Sequence, residues 1–226
     1  MTVDIRNNLE RTRERIARAA GRSGRPPEAV RLVAISKTFP VHVVEEAIDA
    51  GIEDIGENRA QELRDKVAIL GERVRWHFVG HLQTNKVRNV IGEIVLLHSV
   101  DRYGLAEAVA RRARSLGIVQ DVLLEVNVAG EPSKYGAEPR EAISLASEVA
   151  ALEGVRVCGL MTMPPMTHDP EDSRAHFRDL AVLRDELVRS LPEATELSMG
   201  MTRDFEVGIE EGATLVRIGE AIFGPR

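Results

Sequence analysis

Apolar residues along this chain gather in short β-branched runs, separated by longer stretches in which they recur at helical spacing. The runs predict eight strands, at residues 31–36, about 52–55, 74–79, 94–98, 121–128, 155–160, about 194–198 and 214–218. Between them the 3.6-residue period predicts helices at about 41–50, 58–70, 84–91, 102–116, 138–152, 171–190 and 203–211. The stretch "DRYGLAEAVARRARSLG" is the clearest of these, with Asp101 as its expected cap and Gly117 as its stop. An amphipathic helix opens the chain within residues 1–24 and runs into the breaker cluster "GRSGRPP" at 21–27. Strands alternating with helices imply parallel pairing, because each crossover returns the chain to the same edge. Eight such units without a long linker predict an α/β fold, a single (β/α)8 TIM-type barrel over residues 1–226, with the extra N-terminal helix packed on it. An open doubly wound sheet is the alternative.

Composition narrows the function classes. The 226 residues are 43% hydrophobic, enough for a sizeable core, and the net charge of −6 argues against a general nucleic-acid binder. No apolar run reaches the ~18 residues needed to span a bilayer. The arginine-rich N-terminus is amphipathic, but Asp4, Glu10 and Glu14 argue against a transit peptide, so a cytoplasmic location is expected. The one cysteine, Cys158, excludes an internal disulfide and reads as a small buried hydrophobe inside "VRVCGLM".

In a barrel of this kind the chemistry sits at the C-terminal ends of the strands. "RLVAISKTFP" ends its apolar run with Lys37, and the strand-eight stretch "VRIGEAIFG" supplies Arg217 and Gly219. Closure of the eighth strand against the first brings Lys37 and Arg217 close. "LSMGMTRDF" passes from a strand through Gly200 into a helix, with hydroxyls from Ser198 and Thr202, and suits a phosphate. A lysine at such a mouth is either a solvated rim residue or an amine kept neutral by desolvation and like charge, able to attack a carbonyl. A phosphate cradle, a reactive lysine and an arginine facing a ring nitrogen together describe a pyridoxal phosphate site.

Eight stretches carry a wider resemblance: "LVAISKTFP", "IGENRAQEL", "WHFVGHLQTNKV", "HSVD", "EVNVAGEPSKYG", "GLMTMPP", "LSMGMTRDF" and "VRIGEAIFG". In this order, across nearly the whole chain, they resemble the YggS/PROSC family of pyridoxal phosphate homeostasis proteins. The resemblance implies a barrel like the N-terminal domain of alanine racemase, carrying pyridoxal phosphate as a Schiff base on Lys37. It implies that Ser198, Gly200, Met201, Thr202 and Gly219 hold the phosphate, that Arg217 faces the pyridine nitrogen, and that Asn58 approaches the cofactor. Thr202 stands where serine is common.

An arginine only donates hydrogen bonds, so it would leave the pyridine nitrogen unprotonated and the ring a weak electron sink. Racemases of this fold add a tyrosine from a second domain; here only Tyr103 and Tyr135 exist, and Tyr135 alone falls on a mouth loop. The expectation is a carrier that exchanges pyridoxal phosphate with other amines, including those of pyridoxal phosphate-dependent apo-enzymes, without a strong reaction of its own. An amino-acid racemase is the alternative and a lysine aldolase a third class. His77 and His81 are spaced like a helical zinc pair but fall on a strand and its loop, so no metal site is expected. Met161, Met163, Met199 and Met201 are expected near the mouth, as a wall around the ring or as upper core. A monomer is expected, with a dimer through the first helix as the alternative.

Overall fold

The computed structural model describes residues 3–131 and 134–225, so residues 132 and 133 of "EVNVAGEPSKYG" lie outside the described residues. Eight strands, β1 (Arg31–Ile35), β2 (Asp54–Glu57), β3 (Arg75–Phe78), β4 (Leu96–Val100), β5 (Gln120–Glu125), β6 (Val155–Met161), β7 (Glu196–Met201) and β8 (Leu215–Ile218), form a closed parallel barrel in sequence order. Closure pairs β1 with β8, with Val33 opposite Arg217. The open-sheet alternative is therefore excluded. The helices between strands are α2 (Val41–Asp49), α3 (Ala60–Leu70), α4 (Tyr103–Leu116), α5 (Pro139–Ala150), α6 (Arg174–Ser190) and α7 (Phe205–Glu210); α1 (Ile5–Arg22) precedes the barrel and α8 (Glu220–Phe223) follows β8.

Several boundaries differ from the expected ones. The second strand begins two residues later than its apolar pattern, because the Ile52 amide is spent closing α2 onto the Ala47 carbonyl at 3.0 Å. The fourth strand starts two residues later than expected, at Leu96, and continues past His98 over Ser99 to Val100, and the seventh takes in Gly200 and Met201. Residues 84–89 wind as a 3₁₀ turn between β3 and β4, not an α-helix. Asp101 does not cap α4: Arg102 holds the cap position, and the Asp101 carboxylate instead accepts from the Arg102 guanidinium at 2.6 Å.

Parallel strands covered on both sides carry apolar residues on both faces. Outward-facing side chains join the helices in the main core, while Val33, Ile35, Val79, Leu96, Leu123, Met161 and Leu215 pack together inside the barrel. Strand alternation places His98, Glu125 and Arg217, each two residues beyond one of these, on the same inner face. The interior is thus apolar in one layer and polar in the next. At the N-terminal rim Arg75 holds the Asp54 carboxylate at 2.8 and 2.7 Å, and Arg156 holds Asp121 at 2.8 and 2.7 Å. Cys158 is half-buried at this rim, its thiol pushed up to about 11 by burial and by the Asp121 charge, which keeps it protonated and unreactive.

Helix α1 lies against α7 and α8, burying Ile5, Leu9, Ile16, Ala19 and Ala20. Its polar edge is tied down by Asn8 donating to the Ile222 carbonyl at 3.0 Å and by Arg15 gripping Glu206 with two hydrogen bonds. No helix among the described residues is long and apolar enough to cross a membrane.

A lysine and an arginine share a cavity at the barrel mouth

Lys37 stands two residues beyond Ile35, at the C-terminal end of β1. Its turn is pinned from behind. Lys66 of α3 donates to the Ser36 carbonyl at 2.7 Å and also pairs with Glu57; Ser36 Oγ donates to Glu57 Oε1 at 2.5 Å. Glu62 accepts from the Thr38 amide at 2.7 Å, and Thr38 adopts φ +70°, a left-handed conformation that turns the chain sharply after the lysine. Phe39 then stacks on Phe223 of α8 with ring centroids 5.1 Å apart. Burial raises the Glu57 carboxyl, while the Lys66 ammonium pulls in the opposite direction.

A cavity of about 290 Å³ opens at this end of the barrel, with Lys37, Asn58, Met201, Thr202, Arg217 and Gly219 in its wall. Ile35, Val79 and Met163 add apolar surface, and Arg203 and Asp204 complete the side next to Thr202. Both Asp204 oxygens are committed, one to the Met201 amide at 2.7 Å and the other to the Ser173 hydroxyl at 3.0 Å, which fixes the Met201–Asp204 turn. Asn58 Oδ1 is buried with no hydrogen-bond partner among the described residues. Gly80 supports Asn58 from below, where an added Cβ would meet the Asn58 carbonyl oxygen at 2.3 Å. Ser198 and Gly200 are not in the cavity wall. Gly200 adopts φ +91° and lets β7 pass against α7, where a Cβ would lie 2.8 Å from Phe205 Cα.

Arg217 is held from two sides: Nη1 donates to Ser198 Oγ at 2.5 Å and Nη2 to the Thr162 carbonyl at 2.8 Å. Burial brings its guanidinium down to about 10, which leaves it charged at neutral pH. Glu125, on the same inner face, is pushed up to about 7 by burial and by the Asp101 charge, against the pull of Arg217.

The structure therefore brings Lys37, Asn58, Met201, Thr202, Arg217 and Gly219 together and sets Ser198 and Gly200 behind them. Sequence reasoning passed over Glu125, Asp54 and His98 as members of the inner polar layer. The available signal was a polar residue in register with inward apolar ones inside a buried strand. Of the methionines, Met163 and Met201 line the cavity, whereas Met161 and Met199 are core. His81 stacks on Tyr135 with centroids 3.6 Å apart, while His77 points into the barrel, so the two histidines do not converge.

A closed parallel barrel, with a lysine after its first strand and a buried arginine from its last sharing one cavity, defines a racemase-type α/β barrel. The chain belongs to the family described as "Alanine racemase, N-terminal domain", whose model matches residues 7–226. It is 49% identical over 220 residues to the pyridoxal phosphate homeostasis protein of Aquifex aeolicus, covering 96% of each chain. Among solved structures it is similar to an unknown protein from Bifidobacterium adolescentis, with TM-score 0.92 and 40% identity over 96% of this chain and 94% of that one. PipY of Synechococcus elongatus with pyridoxal phosphate bound matches at TM-score 0.83 and 33% identity, over 98% of this chain and all of that one.

Proposed function

We propose that this chain binds pyridoxal phosphate in the Lys37–Arg217 cavity and serves pyridoxal phosphate homeostasis, holding the cofactor and passing it to other amines without strong catalysis. The observation that carries this reading is the placement of Lys37, Thr202, Arg217 and Gly219 in the wall of one cavity, in a chain that matches a pyridoxal phosphate-bound relative over nearly its whole length.

The donor set fits the cofactor. Cationic and hydroxyl groups at Arg203 and Thr202 suit a phosphate, Ile35, Val79 and Met163 suit a flat apolar ring, and the unpartnered Asn58 oxygen accepts a hydrogen bond from a ligand. When bound, pyridoxal phosphate supplies an aldehyde that condenses reversibly with an amine, and a ring that absorbs visible light. Lys37 presents its Nζ from a turn braced by Lys66, Glu57 and Glu62. Thr202 and Gly219 cradle the phosphate, and Gly200 shapes that cradle from behind, since its positive φ and contact with Phe205 allow no side chain. Ser198 acts through Arg217, because its hydroxyl is already engaged there. Arg217 stays a hydrogen-bond donor and so keeps the ring nitrogen unprotonated. Recipients are amines of pyridoxal phosphate-dependent apo-enzymes, the chain acting as a monomer in the cytoplasm.

The racemase alternative needs a second base opposite Lys37, and Tyr135 is stacked on His81. Loaded protein incubated with L-alanine and other L-amino acids, then read by chiral chromatography, is expected to yield no D-isomer above background. Turnover near one per second would establish an enzyme instead. The cradle has its own check. Gly200→Ala is expected to cost about 1–3 kcal/mol of stability and to weaken pyridoxal phosphate far more than pyridoxal, as compared by absorbance titration. Equal weakening of the two would remove the phosphate from this turn.

A further inference from the structure

The inner polar layer contains an unbroken run of hydrogen bonds from one end of the barrel to the other. Asp54 Oδ1 lies 2.9 Å from His77 Nε2, His77 Nδ1 lies 3.0 Å from His98 Nε2, and His98 Nδ1 lies 2.8 Å from Ser198 Oγ. Ser198 Oγ in turn accepts from Arg217 at 2.5 Å. Asp54, His77, His98 and Ser198 are all buried, and four different strands contribute them.

The two ends decide the direction of every bond between them. Arg217 can only donate. Asp54 is ionised: burial pushes its carboxyl up, but hydrogen bonds from His77 and Arg75 outweigh this and hold it at about 2. An ionised carboxylate only accepts, so His77 carries its proton on Nε2 and turns a bare Nδ1 toward His98. His98 must then donate from Nε2, which leaves its own Nδ1 as the acceptor for the Ser198 hydroxyl. Ser198 donates its single hydroxyl proton to His98 and accepts from Arg217. Reversing either ring would set two bare nitrogens, or a bare nitrogen and a carboxylate, against each other in a buried site.

Both rings are neutral in this arrangement. The charged groups facing them are Asp54 on β2, Arg31 on β1, Arg75 on β3 and Arg217 on β8. Burial lowers both imidazoles, and for His77 the Asp54 carboxylate opposes it.

Resting on the cofactor reading above, we propose that Asp54, His77, His98 and Ser198 are positioning residues. They form a one-way hydrogen-bond chain that holds Arg217 as a fixed donor toward the ring nitrogen of bound pyridoxal phosphate. The chain has no proton to give, because each proton in it already points away from Arg217 toward Asp54. A pyridine nitrogen facing Arg217 therefore receives a hydrogen bond and no proton. The weak electron sink expected of a carrier is built at the opposite end of the barrel from the cofactor.

The test has two arms. In the apo-protein labelled with ¹⁵N-histidine, His77 and His98 are expected as neutral rings protonated on Nε2 between about pH 6 and pH 8. A proton on Nδ1 of either ring, or a charged ring at pH 7, overturns the chain. This arm needs no cofactor and no variant. In the second arm, His98→Phe and Ser198→Ala are titrated with pyridoxal phosphate. Each is expected to weaken binding about tenfold or more and to shift the visible absorption band, because Arg217 loses its fixed aim. Folded variants with wild-type affinity and an unshifted band overturn the positioning role. Wild-type protein that takes up no pyridoxal phosphate would defeat the cofactor reading instead, while the ring tautomers would still stand or fall by the first arm.

Discussion

Lys37→Ala is expected to abolish the visible absorption of protein purified with pyridoxal phosphate and to release the cofactor during gel filtration. The side chain lies on the rim of the barrel, so its loss is expected to change folding stability by no more than about 1 kcal/mol. Lys37→Arg separates charge from chemistry: it keeps the cation but supplies no nucleophilic amine at neutral pH. It is expected to behave like the alanine variant in absorbance. Retention of the band in either protein would mean that another amine carries the cofactor, and a colourless wild type would favour the aldolase class.

The second large effect concerns Lys66, which contacts no proposed ligand. It is buried, paired with the fully buried Glu57, and donates to the carbonyl immediately before Lys37. Lys66→Met leaves the Glu57 carboxylate buried without its cation, at an expected cost of about 3–5 kcal/mol. In a chain of this size that is a fall of about 6–20 °C in thermal midpoint. The pH dependence follows from the raised Glu57 carboxyl, which burial favours in its protonated form. A carboxyl whose folded pKa lies above its unfolded value favours the folded state below that value and loses the advantage as pH rises through the folded pKa. Removing Lys66 raises it further, so the deficit is expected to be largest at alkaline pH and to shrink on acidification. Adding Glu57→Gln is expected to restore much of the loss. A pH-independent deficit that Glu57→Gln leaves unchanged would show that Lys66 acts only through packing.

The fold was legible because a parallel barrel repeats one instruction, a short β-branched run followed by an amphipathic helix, and the chain follows it from Arg31 to Phe223. Boundaries drifted where hydrogen bonding overrode hydrophobicity, as when Ile52 closed a helix and did not start a strand. The cavity wall was legible at Lys37, Thr202, Arg217 and Gly219, because strand ends converge in a barrel. Ser198 was harder. Its place in "LSMGMTRDF" suits a phosphate ligand, but strand alternation turns it inward to Arg217 and His98. The His77–His98 contact joins residues 21 apart on adjacent strands, and only a known register brings them together.

The central claim is that Lys37 Nζ is the amine that holds pyridoxal phosphate. Borohydride reduction of the loaded protein, followed by proteolysis and mass mapping, tests it most directly. A single phosphopyridoxyl group on the peptide containing "ISKTF" is the expected result. A modified Lys66, Lys86 or Lys134, or no stable adduct on any peptide, would contradict it.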